Sequence, residues 1–317
     1  MQPREKELIN RLIAGAEAGT MACGGYLASL DPLHRTELCS KLLFERLERK
    51  MQLVSGLYRE AAENWNQTFY LLYFRTLGDR QNQEAYLDLA RRVPYRYLLR
   101  ERLTPHAIET MLIGTSGLLS LYPKDSYTER LTDEYRHLAA KYNLQPMESN
   151  AWVLHEVRPA NHPILRLAQA AEFFQQDEFL MDRVLECRDE RSVQRLFCIE
   201  TNNYWRTHYT PANQADDHPK RLGRFKAHVL GINLVAMLQF AYGSLTGREE
   251  LRDRALMLLE KLPAEENRYM RLWQREGVRL RDAFESQALL QLITEYCLVQ
   301  RCEACPVARR MVRELAR

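Results

Sequence analysis

Three of the seven cysteines fall within nine residues near the C-terminus: Cys297, Cys302 and Cys305, in the run YCLVQRCEACP. A Cys-x-x-Cys pair lets two thiolates face one ion, and a third cysteine just upstream recurs at zinc and iron–sulfur sites. Pro306 comes directly after Cys305 and favours a fresh helix start, which would put Cys305 where the helix dipole stabilises a thiolate. Arg301, Arg309 and Arg310 stand close by in sequence and favour negative ligands. A four-ligand centre needs one more residue. Cys23, in the glycine-bearing loop GTMACGGYL near the other chain end, is the candidate. The chemistry expected is a structural zinc or an iron–sulfur cluster. The competing reading is three unliganded thiols at a helix end. Cys39, Cys187 and Cys198 sit in amphipathic stretches and read as small core residues.

Two other polar sets could bind anions. The loop RPANHP holds Arg158, Asn161 and His162 between two prolines, with Arg166 one turn into the next helix. A rigid loop at a helix start can bind an anion such as phosphate; equally, these groups can satisfy buried helix ends. The densest basic run is HPKRLGRFK, with Lys220, Arg221, Arg224 and Lys226. Preceded by Tyr204, Trp205 and Tyr209, it could grip a nucleic-acid backbone while the rings stack on bases, or it could be only a solvated face. Asp216, Asp217 and His218 fall in an expected mobile loop and receive no catalytic role. No phosphate-cradling glycine loop, nucleophile elbow or paired-carboxylate signature is present, so the chain reads as more scaffold than enzyme.

The elements that must carry these residues are helical. Hydrophobic residues make up 46% and charged residues 27% of 317 positions, the balance of a globular chain able to bury a large core. The net charge is +3, too small to drive nucleic-acid binding globally. Only eight of the 45 cationic residues are lysine and the other 37 are arginine, a residue suited to ion pairs and phosphate contacts. The N-terminus has charges of both signs and no apolar core, unlike a secretory signal. The longest charge-free run, residues 229–247, contains Asn, Gln and Gly and suits a buried helix better than a bilayer span. The expected location is the cytoplasm, without membrane attachment. There, clustered cysteines point to metal or redox chemistry rather than disulfides.

Helical spacing recurs along the chain. Residues 4–18 form a first helix. Asp31-Pro32 caps a long one with Leu38, Leu42, Leu43, Leu47 and Met51 on one face. Residues 65–78 are apolar nearly all round, so they predict a central buried helix closed by Gly78. Shorter helices run on to Asn143, and another begins at Pro163. Residues 202–226 are polar and read as a long surface loop, and a final long helix is expected over 282–300. Strand alternation is nearly absent. The fold expected is all-α, an irregular multi-helix bundle or short α-solenoid-like array of a dozen or more helices. Residues 1–30 would form an N-terminal helix with its cysteine loop and 31–317 one large domain, with a candidate sub-boundary near 145–160.

Several stretches together resemble an uncharacterised bacterial family, catalogued as domain of unknown function twenty-eight fifty-one. They include FERLERKMQLV (44–54), NWNQTFYLLYFRTLG (64–78), LARRVPYRYLL (89–99), IETMLIGTSGLL (108–119), RPANHPILRLAQ (158–169), LPAEEN (262–267) and SQALLQLITEYC with its trailing cysteines. The resemblance runs from about residue 23 to the end. Longer members carry an upstream segment similar to restriction-endonuclease-like nucleases, and this chain begins after that segment would end. The resemblance therefore implies a helical accessory module without the catalytic carboxylates and lysine, with nucleic acid or a nuclease-like protein as partner. An N-terminal cysteine joined to three C-terminal ones is also similar to the iron–sulfur staple of some nucleases of that fold, although the spacing differs.

Overall fold

A computed structural model describes residues 3–17, 23–211 and 213–315. Among them the chain is helical almost throughout, with one two-stranded hairpin. Helix α1 (Pro3–Glu17) precedes the short α2 (Gly24–Ser29) and the long α3 (Pro32–Glu60). Asp31 starts α3 by accepting from the backbone N–H groups of Leu33 and His34, and Pro32 occupies the first helical position, where its missing N–H costs nothing. The apolar stripe of α3 is buried at Leu38, Leu42, Leu43 and Leu47. Ala62 and Glu63 take left-handed backbone conformations and end the run.

Helix α4 (Trp65–Leu77) is the centre of the core. Asn64 caps it by accepting from Gln67 N. Phe69, Tyr70, Tyr73 and Phe74 are almost wholly buried. Tyr73 stacks on Phe173 at 4.9 Å and Phe74 on Phe174 at 5.8 Å, offset contacts that add to simple burial. Then follow α5 (Asp79–Arg92), α6 (Tyr95–Glu101), α7 (Ala107–Thr115), α8 (Ser126–Tyr142) and α9 (Pro163–Gln175), of which α5, α6 and α9 pack on α4. Helix α8 opens with a reciprocal capping box between Asp125 and Thr128 and stops at left-handed Asn143. Helix α7 packs against both α8 and α9. Gly114 allows that approach, because a Cβ there would collide with the ring of Tyr135.

Next come α10 (Leu180–Glu186), α11 (Glu190–Phe197) and α12 (Asn203–Arg206), then strands β1 (His208–Thr210) and β2 (Asn213–Gln214), which pair antiparallel. Residues 202–226, expected as a polar surface loop, therefore contain ordered structure, with Trp205, Thr210, Lys220 and Leu222 buried. The aromatic and aliphatic members are outnumbered by polar neighbours in sequence but pack inward.

The charge-free run lies within α13 (Arg224–Leu230), a π-helical turn at Gly231–Val235 and α14 (Ala236–Thr246). Arg224–Thr246 is long and apolar enough to cross a bilayer, yet 67% of its apolar window is buried inside the fold. Helix α14 packs on α15 (Glu249–Lys261) and on α3. After α16 (Arg268–Arg275), α17 (Ala283–Leu292) runs along α3. The expected long helix over 282–300 is interrupted: α17 passes into a π turn at Ile293–Cys297. The chain then turns, with Gln300 left-handed, into α18 (Pro306–Leu315), which packs on α1.

Candidate metal centre

Four cysteines, Cys23 far in sequence from the other three, lie within electrostatic reach of one another. Cys23 stands at the start of α2, Cys297 ends the second π turn, and Cys302 and Cys305 lie in the turn before Pro306. The 18–22 part of the cysteine-bearing loop lies outside the described residues. Cys23 leads into a helix rather than more loop. Gly24 starts that helix pressed against the end of α16, where a Cβ would collide with Glu276. Two local turns arrange the other three. The N–H of Gln300 donates to the Cys297 carbonyl at 3.1 Å, and the N–H of Cys305 to the Cys302 carbonyl at 3.2 Å. The N–H groups of Ala308 and Val307 reach the Cys305 sulfur and favour its thiolate, as a helix N-terminus should.

Each of these thiols lies within electrostatic reach of the other three. Cys23 feels Cys305 and Cys302; Cys297 feels Cys305, Cys23 and Cys302; Cys305 feels Cys302. Burial comes first in pushing Cys23 up to about 12 and Cys305 to about 11, with the neighbouring thiols adding to it. Cys297 and Cys302 are raised as well, again by burial. The sites are therefore four neutral thiols in a dry setting, where like charges cannot accumulate without a cation. Among the described residues, no group of three His, Cys, Asp or Glu side chains already surrounds a single ion position. The thiols are neighbours and not a finished ligand shell.

Polar clamps fix this end of the fold. Tyr26 of α2 donates to Glu314 of α18 at 2.9 Å, and Arg310 pairs with Glu37 at 2.9 Å and Glu314 at 3.1 Å. Tyr296 donates to Glu45 at 2.7 Å. Two of the arginines expected to favour thiolates are engaged elsewhere: Arg310 with those carboxylates, and Arg301 over the Tyr296 ring at 6.0 Å. Cys39 and Cys187 are buried in the core and Cys198 is half-buried.

The loop 158–166 is organised around its own helix. His162 caps α9, its Nδ1 accepting from Ile164 N at 3.3 Å, and its Nε2 meets the Tyr122 hydroxyl at 2.9 Å. Burial brings the imidazole down to about 4, so it is neutral. Arg166, also buried, donates to Asn161 Oδ1 at 2.7 Å and Gln169 Oε1 at 2.9 Å. Arg158 is exposed. These contacts satisfy a helix start, and Arg158 and Asn161 are the exposed members of the set.

The basic run 218–226 is divided. Lys220 is buried and its ammonium donates to the backbone carbonyls of Arg206 at 2.7 Å and Asp216 at 3.3 Å. Lys226 is buried and pairs with Asp79. Arg221 pairs with Glu200, Nε at 2.8 Å, at the surface, and Arg224 is exposed. Nor are the nearby rings free to stack. Tyr204 lies on Tyr127 at 3.8 Å, and Trp205 is buried with its Nε1 donating to Glu109 at 2.5 Å.

Sequence reasoning passed over two inward-facing polar sites. Glu109 is 3% exposed within an apolar helix and accepts from both Trp205 and Asn202, the latter at 2.7 Å. Burial, then the Glu109 charge, raises Glu172. Lys50 donates to Asn233 in the first π turn at 2.5 Å. Both had a legible signal: a lone acid in IETMLIG, and a lysine on the i, i+4 row from Arg46 to Val54.

An all-α, multi-helix protein is the class that this fold defines. The chain belongs to the family described as Protein of unknown function (DUF2851), which it matches over residues 2–268. The match starts earlier than the resemblance suggested and stops before α17, so Cys297, Cys302 and Cys305 lie beyond it. Neither the curated proteins nor the solved structures yield a match.

Proposed function

We propose that this chain is a helical interaction module whose two ends are clasped by one cysteine-ligated centre, a zinc ion or an iron–sulfur cluster. The observation that carries the reading is that Cys23, Cys297, Cys302 and Cys305 are all mutual neighbours although up to 282 residues separate them in sequence. Their chemistry fits the group. Thiolate is the ligating form, and a bound cation would supply the positive charge whose absence now disfavours deprotonation. Proton loss and a small inward movement of the sulfurs would accompany binding.

A binding rather than catalytic role is supported by how the cations are used. Arginines pair with acids across the surface, as in Arg91–Glu60 at 2.7 Å, Arg92–Asp88 at 2.9 Å and Arg136–Asp133 at 2.6 Å. Such a mixed surface suits a protein partner better than a phosphate backbone. The inward turn of Lys220 and Lys226 leaves a nucleic-acid grip to Arg221 and Arg224.

Thiol titration of anaerobically purified protein, before and after a strong chelator, tests the clasp. Chelation is expected to expose about four additional reactive thiols, the complement of a tetrahedral site. The same thiol count before and after would overturn it. In a low-salt gel shift, the interaction reading expects no salt-dependent retention of DNA or RNA; retention would restore the nucleic-acid reading.

A further inference from the structure

Between α3, α4, the start of α5 and the α13–α14 segment the fold holds a cavity of about 260 Å³. Leu53, Val54, Leu72, Val229 and Met237 form its apolar wall. Lys50, Asn233, Thr76 and Gln83 add polar groups to the lining. The other charged groups at the cavity have counter-ions. Arg75 pairs with Glu84 at 2.9 Å, and Asp79 pairs with Lys226. Lys50 differs. The residue is half-buried, with its amine turned inward. That amine donates to the Asn233 amide oxygen at 2.5 Å, and among the described residues no carboxylate stands within ion-pair distance.

The surroundings make that absence costly. Two arginines on the same helix, Arg46 and Arg49, repel a charge on Lys50, while only Glu265, at longer range, attracts it. Arg46 and Arg49 are themselves directed to Gln287 at 2.8 Å and Gln291 at 3.0 Å, and Arg49 also pairs with Glu295 at 3.2 Å. A buried cation without an anion either loses its proton or takes an anion from solution. Asn233 sits in a π turn, a rare irregularity that recurs at functional sites, and its amide oxygen holds the amine at the cavity.

We infer that this cavity binds a small monocarboxylate with an apolar tail, the carboxylate on Lys50 and the tail along Leu53, Val54, Leu72, Val229 and Met237. The anion supplies the missing counter-charge, and the wall excludes water from the ion pair. Phosphate and other compact polyanions lack the tail that this wall rewards. Burial and the Arg46 charge hold the free amine below the usual lysine range, and a carboxylate bound beside it would favour the charged form again. Arg46, Arg49 and Glu265 are the charges that act on this amine, and Arg75 and Asp79 line the same cavity.

The probe is octanoate, with 1-octanol as its uncharged counterpart, each measured by titration calorimetry on the full chain. Octanoate should bind the unaltered protein, and more tightly than 1-octanol, because only the carboxylate meets the Lys50 amine. Lys50→Met should weaken octanoate about tenfold or more, the effect of one lost charge-assisted contact, and leave octanol at least as tight. Leu53→Trp, at the half-exposed mouth, should weaken both probes about tenfold by filling the space. Absence of octanoate binding at millimolar concentration, or equal octanoate affinity in Lys50→Met, overturns the inference. So does an undiminished affinity in Leu53→Trp. Should Lys50→Met fail to fold, the octanoate-against-octanol preference of the unaltered protein and Leu53→Trp together still decide.

Discussion

The phenol of Tyr26 donates to the Glu314 carboxylate at 2.9 Å, joining residues 288 positions apart. Tyr26 lies three residues after Cys23 and Glu314 nine after Cys305, so the bond ties α2 to α18 independently of the thiols. Tyr26→Phe should lower stability by about 1 kcal/mol, the net worth of one such hydrogen bond, and speed alkylation of Cys23. Thermal unfolding tracked by circular dichroism and a timed iodoacetamide assay read the two effects. An unchanged alkylation rate would mean that this bond does not hold Cys23 in place.

His162 gives the fold a defined response to acid. Its imidazole is neutral and buried at about 4, against 6.5 when unfolded. The unfolded chain therefore takes up this proton first, and stability falls as pH drops from about 6.5 to about 4. The expected loss is about 3 kcal/mol once the pH is below both values. Urea unfolding across that range should show it. His162→Asn, which can still cap α9, should flatten the slope; a slope as steep as before would assign the effect to other groups.

Gly24 sets the approach of α2 to α16, and its Cβ position is filled by Glu276. Gly24→Ala should destabilise by about 1–3 kcal/mol through forced displacement, with Glu276→Gly in the same chain restoring part of it. Denaturant midpoints of the single and double variants test this. Additive losses would show that the two positions are not in contact.

The basic run divides into buried and surface members. Lys226→Ala should cost about 2 kcal/mol, because it removes an internal cation and strands Asp79, itself largely exposed. Arg224→Ala, at an exposed position, should stay within about 0.5 kcal/mol of the unaltered protein. Comparable losses in both would contradict the inward placement of Lys226.

Legible in the sequence was whatever local chemistry decides. Asp31-Pro32, Asn143 and Pro163 mark helix ends through caps and backbone restriction, and each end falls where those residues place it. The all-round apolar run of α4 could only be a core helix. Residues 202–226 were harder, since Trp205 and Lys220 are buried by partners distant in sequence, Glu109 among them, and local polarity gave no hint of that. Helix α17 was expected to continue to residue 300; a π turn is set by side-chain packing rather than by a residue-type signal. The cysteine spacing was readable, whereas the nearness of Cys23 depends on α1, α2 and α18 folding together.

Metal analysis of protein purified without oxygen, alongside its visible spectrum, tests the clasp most directly. The expected result is about one zinc, or about four irons with a brown absorbance, per chain, falling to background in the Cys302→Ser, Cys305→Ser double variant. A folded, colourless protein with no bound zinc or iron, and the same metal content in the double variant, would contradict it.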